Sequence, residues 1–149
     1  MKSIMLASIS ILLITNAIAF SQSIPEFVII DEIADDMEQL KSEFSGHPNV
    51  YLTDGITPNA LGQISNSLEN LKIEDLHIYV LTKPGAIIFN SIDVTTDNVD
   101  DLSDDLKILN RYVTNQVVIH STIVFSGDEG ILLKQRLEEI TGLVFTTQN

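Results

Sequence analysis

The chain reads as an α/β protein, a three-layer sandwich on a mainly parallel sheet. Three observations predict this. Short, nearly continuous apolar runs recur along it, as expected of strands buried on both faces. Between them lie segments whose apolar residues fall at helical spacing. Four such strand-then-helix units follow one another, which is the pattern of crossover connections in a parallel sheet.

Glu26 to Ile30 is the first predicted strand, and it ends at Asp31-Glu32. Ile33, Met37, Leu40 and Phe44 then mark a helix, with Asp35 or Asp36 placed to cap it and Gly46 to stop it. Val50 to Thr53 is a second strand. Thr57-Pro58 opens a second helix, because proline suits the first helical position, and Leu61, Ile64, Leu68 and Leu71 form its buried stripe. The third strand runs from Leu76 to Leu81. After Pro84-Gly85, the runs 86–89 and 92–94 make a short hairpin around Asn90-Ser91. Leu102, Leu106, Leu109 and Val113 predict a third helix. Gln116 to Val124 holds the fourth strand, and Leu133, Leu137 and Ile140 face inward on a last helix ended by Gly142. Leu143 to Phe145 is a final short strand.

The N-terminus has the layout of a secretory signal. Lys2 is the only charge before Glu26, an apolar run spans Ile4 to Ile14, and Ala17-Ile18-Ala19 supplies the small residues of a cleavage site. The run is too short to span a bilayer. The expected organisation is a signal peptide over 1–19 and one domain over 20–149. The protein is then exported, to the periplasm, the medium or the cell surface, and is not an integral membrane protein after cleavage.

Hydrophobic residues make up 44% of the 149, enough for a packed core, and there is no cysteine. An exported chain of this kind is held by packing without disulfides, and thiolate catalysis and thiolate metal sites are excluded. The net charge of −13 opposes nucleic acids and anionic membranes, whose affinity comes from Lys and Arg. A basic partner or divalent cations fit that charge better. The acidic run Asp97, Asp100, Asp101, Asp104 and Asp105 lacks the glycine turn and closing glutamate of a calcium loop, and reads as a solvated face. No phosphate-loop, dinucleotide or nucleophile-elbow glycine motif is present. No cofactor is implied.

In an open parallel sheet, ligands bind beyond the carboxyl ends of the strands. The residues there are Asp31 and Glu32 after the first strand and Thr53, Asp54 and Gly55 after the second. Leu81, Thr82 and Lys83 follow the third, and Ser121 and Thr122 the fourth. His77 and His120 read as strand histidines with their ring nitrogens bonded. No second His or Cys lies at metal-ligand spacing from His77.

Leu76-His77-Ile78 followed by Pro84-Gly85-Ala86 resembles the Ile-His-Ile-Val-Ser-His-Gly-x-Pro-Gly-Ala segment of a bacterial domain of unknown function. That domain often lies near the N-terminus of large secreted, adhesin-like proteins and is similar to the caspase and gingipain proteases. Ile30-Asp31, Leu52 to Gly55, Gly127 to Gly130 and Leu137 to Gly142 extend the resemblance over nearly the whole mature chain. It implies a caspase-like fold, with a flavodoxin-like strand order as the alternative. It also implies a His–Cys dyad, but the family's His position falls on Leu81 and its Cys position on Thr122. A hydroxyl needs a strong adjacent base to attack, and Leu81 cannot serve.

The expected function is therefore non-catalytic: a pseudo-enzyme that acts in binding or at the cell surface, through a degenerate site of Asp31, Asp54, Leu81, Thr82, Lys83, Ser121 and Thr122. Two alternatives remain open. One is a hydrolase with relocated residues drawn from His120, Asp31, Asp54, Lys83 and Ser121 or Thr122. The other is a subunit of a self-associating surface assembly.

Overall fold

The computed structural model describes residues 23–149, so the expected leader and the start of the mature chain lie outside the described residues. Five strands form a parallel sheet: β1 (Ile24–Ile30), β2 (Val50–Leu52), β3 (Ile73–Tyr79), β7 (Val113–His120) and β8 (Val144–Gln148). Their order is β2-β1-β3-β7-β8. Counting these five alone, this is the 2-1-3-4-5 order of flavodoxin-like sheets. A second, antiparallel sheet joins β4 (Leu81–Lys83), β5 (Ala86–Ile88) and β6 (Asp93–Thr95).

Among the described residues five helices flank the sheet: α1 (Met37–Glu43), α2 (Ala60–Ser67), α3 (Ser103–Lys107), α4 (Leu109–Tyr112) and α5 (Gly127–Thr141). Leu61, Ile64, Leu106, Leu109, Leu133 and Leu137 from α2 to α5 join Phe27, Ile29, Leu76, Ile78, Val117, Ile119 and Phe145 of the sheet in the main core. Strand residues two apart share a face, so β1 presents Val28 and Ile30 to the other side. There Leu40 of α1 and Phe44, which caps that helix, join a smaller cluster with Ile30 and Tyr79. The result is a helix–sheet–helix sandwich. Away from α1, that second face is polar: Gln116 donates to Asp75, Thr146 donates to Gln116, and His77 meets His120.

Several boundaries depart from expectation, each for a local reason. Pro58 does not open α2. Asn59 takes the N-cap with φ 73°, and its side chain accepts from the Gly62 amide. Asp36 occupies the N-cap of α1 with no capping bond, and Ile33 lies in the turn before it. The expected third helix breaks at Ile108. Val113 leaves it to pair with Ile73 as the first residue of β7, and the Thr114 hydroxyl donates to the Ile73 carbonyl. Sheet pairing of two β-branched residues overrides their helical spacing there.

β3 stops at Tyr79, two residues short of the expected Leu81. Leu81 to Lys83 turns away as β4 and pairs antiparallel with β5, and Pro84-Gly85 makes the two-residue link. Gly85 has φ +71°, the conformation this Pro-Gly turn requires. The fourth core strand ends at His120, not Val124, because the Ser121 hydroxyl folds the next residues into a turn. Of the acidic run, Asp97, Asp100, Asp101 and Asp104 are exposed and Asp105 is half-buried. Arg136 bonds Asp100 and Glu139. Among the described residues no helix is long and apolar enough to cross a membrane.

Candidate functional site

A cleft of about 330 Å3 opens at the carboxyl ends of the core strands. The loop after β1 supplies Ala34 and Asp35, and the end of β3 supplies Tyr79, Val80 and Thr82. The end of β7 adds His120, Ser121 and Thr122, and β8 adds Gln148. In a 2-1-3-4-5 sheet the chain reverses its winding between β1 and β3, and ligands favour that switch point. The cleft begins there and extends across β7 to β8.

Three of the seven sequence candidates line this cleft: Thr82, Ser121 and Thr122. Thr82 and Ser121 come together, their hydroxyl oxygens 2.7 Å apart. Ser121 Oγ also accepts from the amides of Ile123 and Val124, at 3.1 Å each. A hydroxyl has two acceptor sites and one proton. With both acceptor sites engaged, the Ser121 proton goes to Thr82. Ser121 is thus a turn former whose hydrogen-bonding capacity is filled. Ser121→Ala removes the acceptor of two backbone amides and should cost about 1–2 kcal/mol in a urea titration.

The other four candidates do not meet in the cleft. Leu81 is half-buried on β4 and Lys83 is exposed at its end, and neither lines the cleft. Asp31 is fully buried, and its carboxylate accepts from Thr53 Oγ1 at 2.7 Å and from the Asn90 and Ile33 amides at 3.1 and 3.2 Å. Asp54 accepts from the Thr57 amide and hydroxyl and from the Ile56 amide. Those bonds, the Thr57 amide first, hold its carboxyl below the usual range. Glu32 accepts from the Gly55 amide at 2.7 Å. Each carboxylate therefore braces a loop. Among the described residues no three His, Asp or Glu side chains are grouped so as to hold a metal ion.

The pair that sequence reasoning kept apart is His77 and His120. His77 lies on β3 and His120 on the adjacent β7. The register sets His77 opposite Val118, two residues before His120, so both rings stand on one face. His77 Nδ1 and His120 Nε2 are 3.0 Å apart. Tyr79 stacks on the His120 ring with centroids 3.8 Å apart and planes 13° from parallel. Burial, and then the charge on His77, lower the His120 pKa to about 4. Burial, then Glu43 and Glu26, raise that of Tyr79. The signal for this contact was the period-two rule applied across two neighbouring strands, and using it required the strand order.

His120 turns its Nε2 to His77. Among the described residues neither ring bonds a hydroxyl. The arrangement offers shape, hydroxyls, a carboxamide and an aromatic face.

No curated protein matches the chain, and no solved structure does. One family model matches residues 27–149, from β1 through β8, and so spans the cleft and every described sequence candidate. The chain accordingly belongs to the family described as Domain of unknown function (DUF4347).

Proposed function

We propose that this is an exported, non-catalytic domain that binds a partner in the cleft at the strand ends. In this reading it is a relative of the caspase and gingipain proteases whose reactive residues have been replaced. The observation that carries it is the engagement of the hydroxyls and rings. Ser121 is saturated by two amides and Thr82, and His120 is bonded to His77 and not to a hydroxyl. Nucleophilic catalysis needs a hydroxyl or thiol within reach of an oriented base.

The electrostatics narrow the partner. Among the described residues no Lys or Arg lines the cleft, Asp35 does, and His120 is neutral near pH 7. A protein of net charge −13 with such a cleft fits an uncharged polar or basic segment. Export is supported by the leader-like N-terminus alone.

The test has two arms. Against fluorogenic peptides and esters, the purified protein should show no turnover above buffer, and Thr122→Ala should change nothing. An activity abolished by Thr122→Ala or Ser121→Ala would overturn the reading. In the second arm, a library of basic and acidic peptides is titrated onto the protein. Basic peptides should bind, and Thr122→Trp, which fills the mouth of the cleft from an exposed position, should weaken them about tenfold or more, on the order of 1.4 kcal/mol. Binding untouched by Thr122→Trp would place the partner elsewhere and sink the assignment to this cleft.

A further inference from the structure

The His77–His120 contact is an unusual way to build the wall of a cleft. Two imidazoles have four ring nitrogens. When both are neutral they carry two N–H protons, one of which lies in the 3.0 Å contact between His77 Nδ1 and His120 Nε2. A third proton goes to a nitrogen outside the contact, and the hydrogen bond survives. A fourth puts N–H on both facing nitrogens, and no acceptor is left between them.

We propose that the His77–His120 pair is an acid-operated latch on the cleft wall, closed while its rings carry two or three protons and forced open by the fourth. Opening moves the ring against which Tyr79 is stacked. Tyr79 and His120 both line the cleft, so its wall changes when they part. This is a regulation of the cleft proposed above and rests on that reading only for its effect on binding.

The surroundings resist the last step. On β1, Glu26 lies with Oε1 3.9 Å from His77 Nε2, a buried nitrogen with no hydrogen-bond partner. A proton on that nitrogen faces a carboxylate. On β3, Asp75 shares the face, but Asn115 and Gln116 occupy its carboxylate. Tyr79 covers His120 from the same strand. From α1, Glu43 acts on Tyr79, and Asp35 contributes a carboxylate to the cleft itself. None of these bonds His120, so its half-buried ring takes a second positive charge beside the first without compensation. The low His120 pKa, about 4, agrees with this geometry.

The sign follows from linkage. Unfolded, His120 returns to 6.5, so between pH 6.5 and about 4 the unfolded chain binds the additional proton. The contribution of the latch to stability is complete above pH 6.5 and is lost as pH falls through that window.

The experiment is an NMR titration of the purified protein without ligand, from pH 7.5 to 3.5, following the His Cε1–H, Tyr79 ring and Thr122 amide resonances. The pair should take up its last proton near pH 4, and Tyr79 and Thr122 should move with the same midpoint. In His77→Gln, the amide can still bond His120 but carries no charge, so the His120 midpoint should rise by about one pH unit. In His120→Gln, the Tyr79 step below pH 5 should vanish. Tyr79 and Thr122 resonances that stay fixed while His120 titrates would overturn the latch, as would a His120 midpoint unmoved by His77→Gln. If a variant unfolds, the wild-type titration decides alone. No ligand is used, so a failed latch leaves the binding reading intact, and a failed binding assay leaves the latch intact.

Discussion

Replacing Asp31 with Ala should lower the stability of the fold by about 4 kcal/mol, read from the midpoint and slope of a urea titration. Asp31 has no solvent exposure. Its carboxylate takes the Thr53 hydroxyl from the end of β2, the Asn90 amide from the β5–β6 turn and the Ile33 amide from its own loop. Two segments distant in sequence and its own loop converge on one side chain. Alanine leaves all three donors without an acceptor, the Thr53 hydroxyl in a buried setting and the two amides in part-buried ones, and each buried orphan costs about 1–3 kcal/mol. Asp31→Asn keeps one carbonyl oxygen but turns an NH2 toward the other donors, so its loss should be smaller, about 2 kcal/mol. A wild-type-like midpoint for Asp31→Ala would mean that these bonds are not formed in solution. A relocated catalytic role for Asp31 predicts the opposite pattern, lost activity at unchanged stability.

The fate of Asp31 shows what the sequence could convey. Its place after the first strand was legible, because an apolar run that stops at a carboxylate marks a strand end. Its role was not, since the hydroxyl and amide that claim it lie 22 and 59 residues away. The five core strands and the faces of α2 and α5 were legible for a related reason: burial writes its period into the chain. The division of Leu76 to Lys83 into β3 and β4 was not. Leu81, Thr82 and Lys83 are as strand-like as the residues before them, and only pairing with Ala86–Ile88 assigns them to a second sheet. The same limit hid the histidine pair. Each ring reads as an ordinary strand residue until β3 and β7 are known to be neighbours. The cleft was half-legible. Thr82, Ser121 and Thr122 follow from the rule that ligands sit at strand ends, whereas Tyr79 and Gln148 enter through strand order.

Gly130→Ala should be the most damaging change to the wall of the cleft that leaves every cleft residue in place. In an exposed helix, alanine is the better residue by about 1 kcal/mol. Here a Cβ on Gly130 would lie 2.5 Å from the Phe125 carbonyl carbon, 2.8 Å from its Cα and 2.7 Å from the Val124 carbonyl oxygen. These are backbone atoms and cannot rotate aside. Val124 is fully buried, and its carbonyl accepts the Gly85 amide at 2.9 Å, which ties the β4–β5 turn to the same point. Gly85 is tight in its own right, since an added Cβ would come 2.8 Å from the Glu129 Cβ. The bare backbone of α5 at Gly130 is therefore what lets the Ser121–Ser126 loop lie flat, and that loop carries one side of the cleft. Inserting a methyl group at such a contact should cost about 3 kcal/mol despite the gain in helix propensity. Gly127→Ala is the control. Nothing lies within 4 Å of its added Cβ, so only the left-handed φ of +68° opposes it, at about 1–2 kcal/mol. Urea titrations should rank Gly130→Ala below Gly127→Ala, and Gly130→Ala should also shift the Thr122 amide in NMR spectra at neutral pH. The reverse ranking would show that backbone conformation, and not the close approach of the loop to α5, is what the two glycines provide.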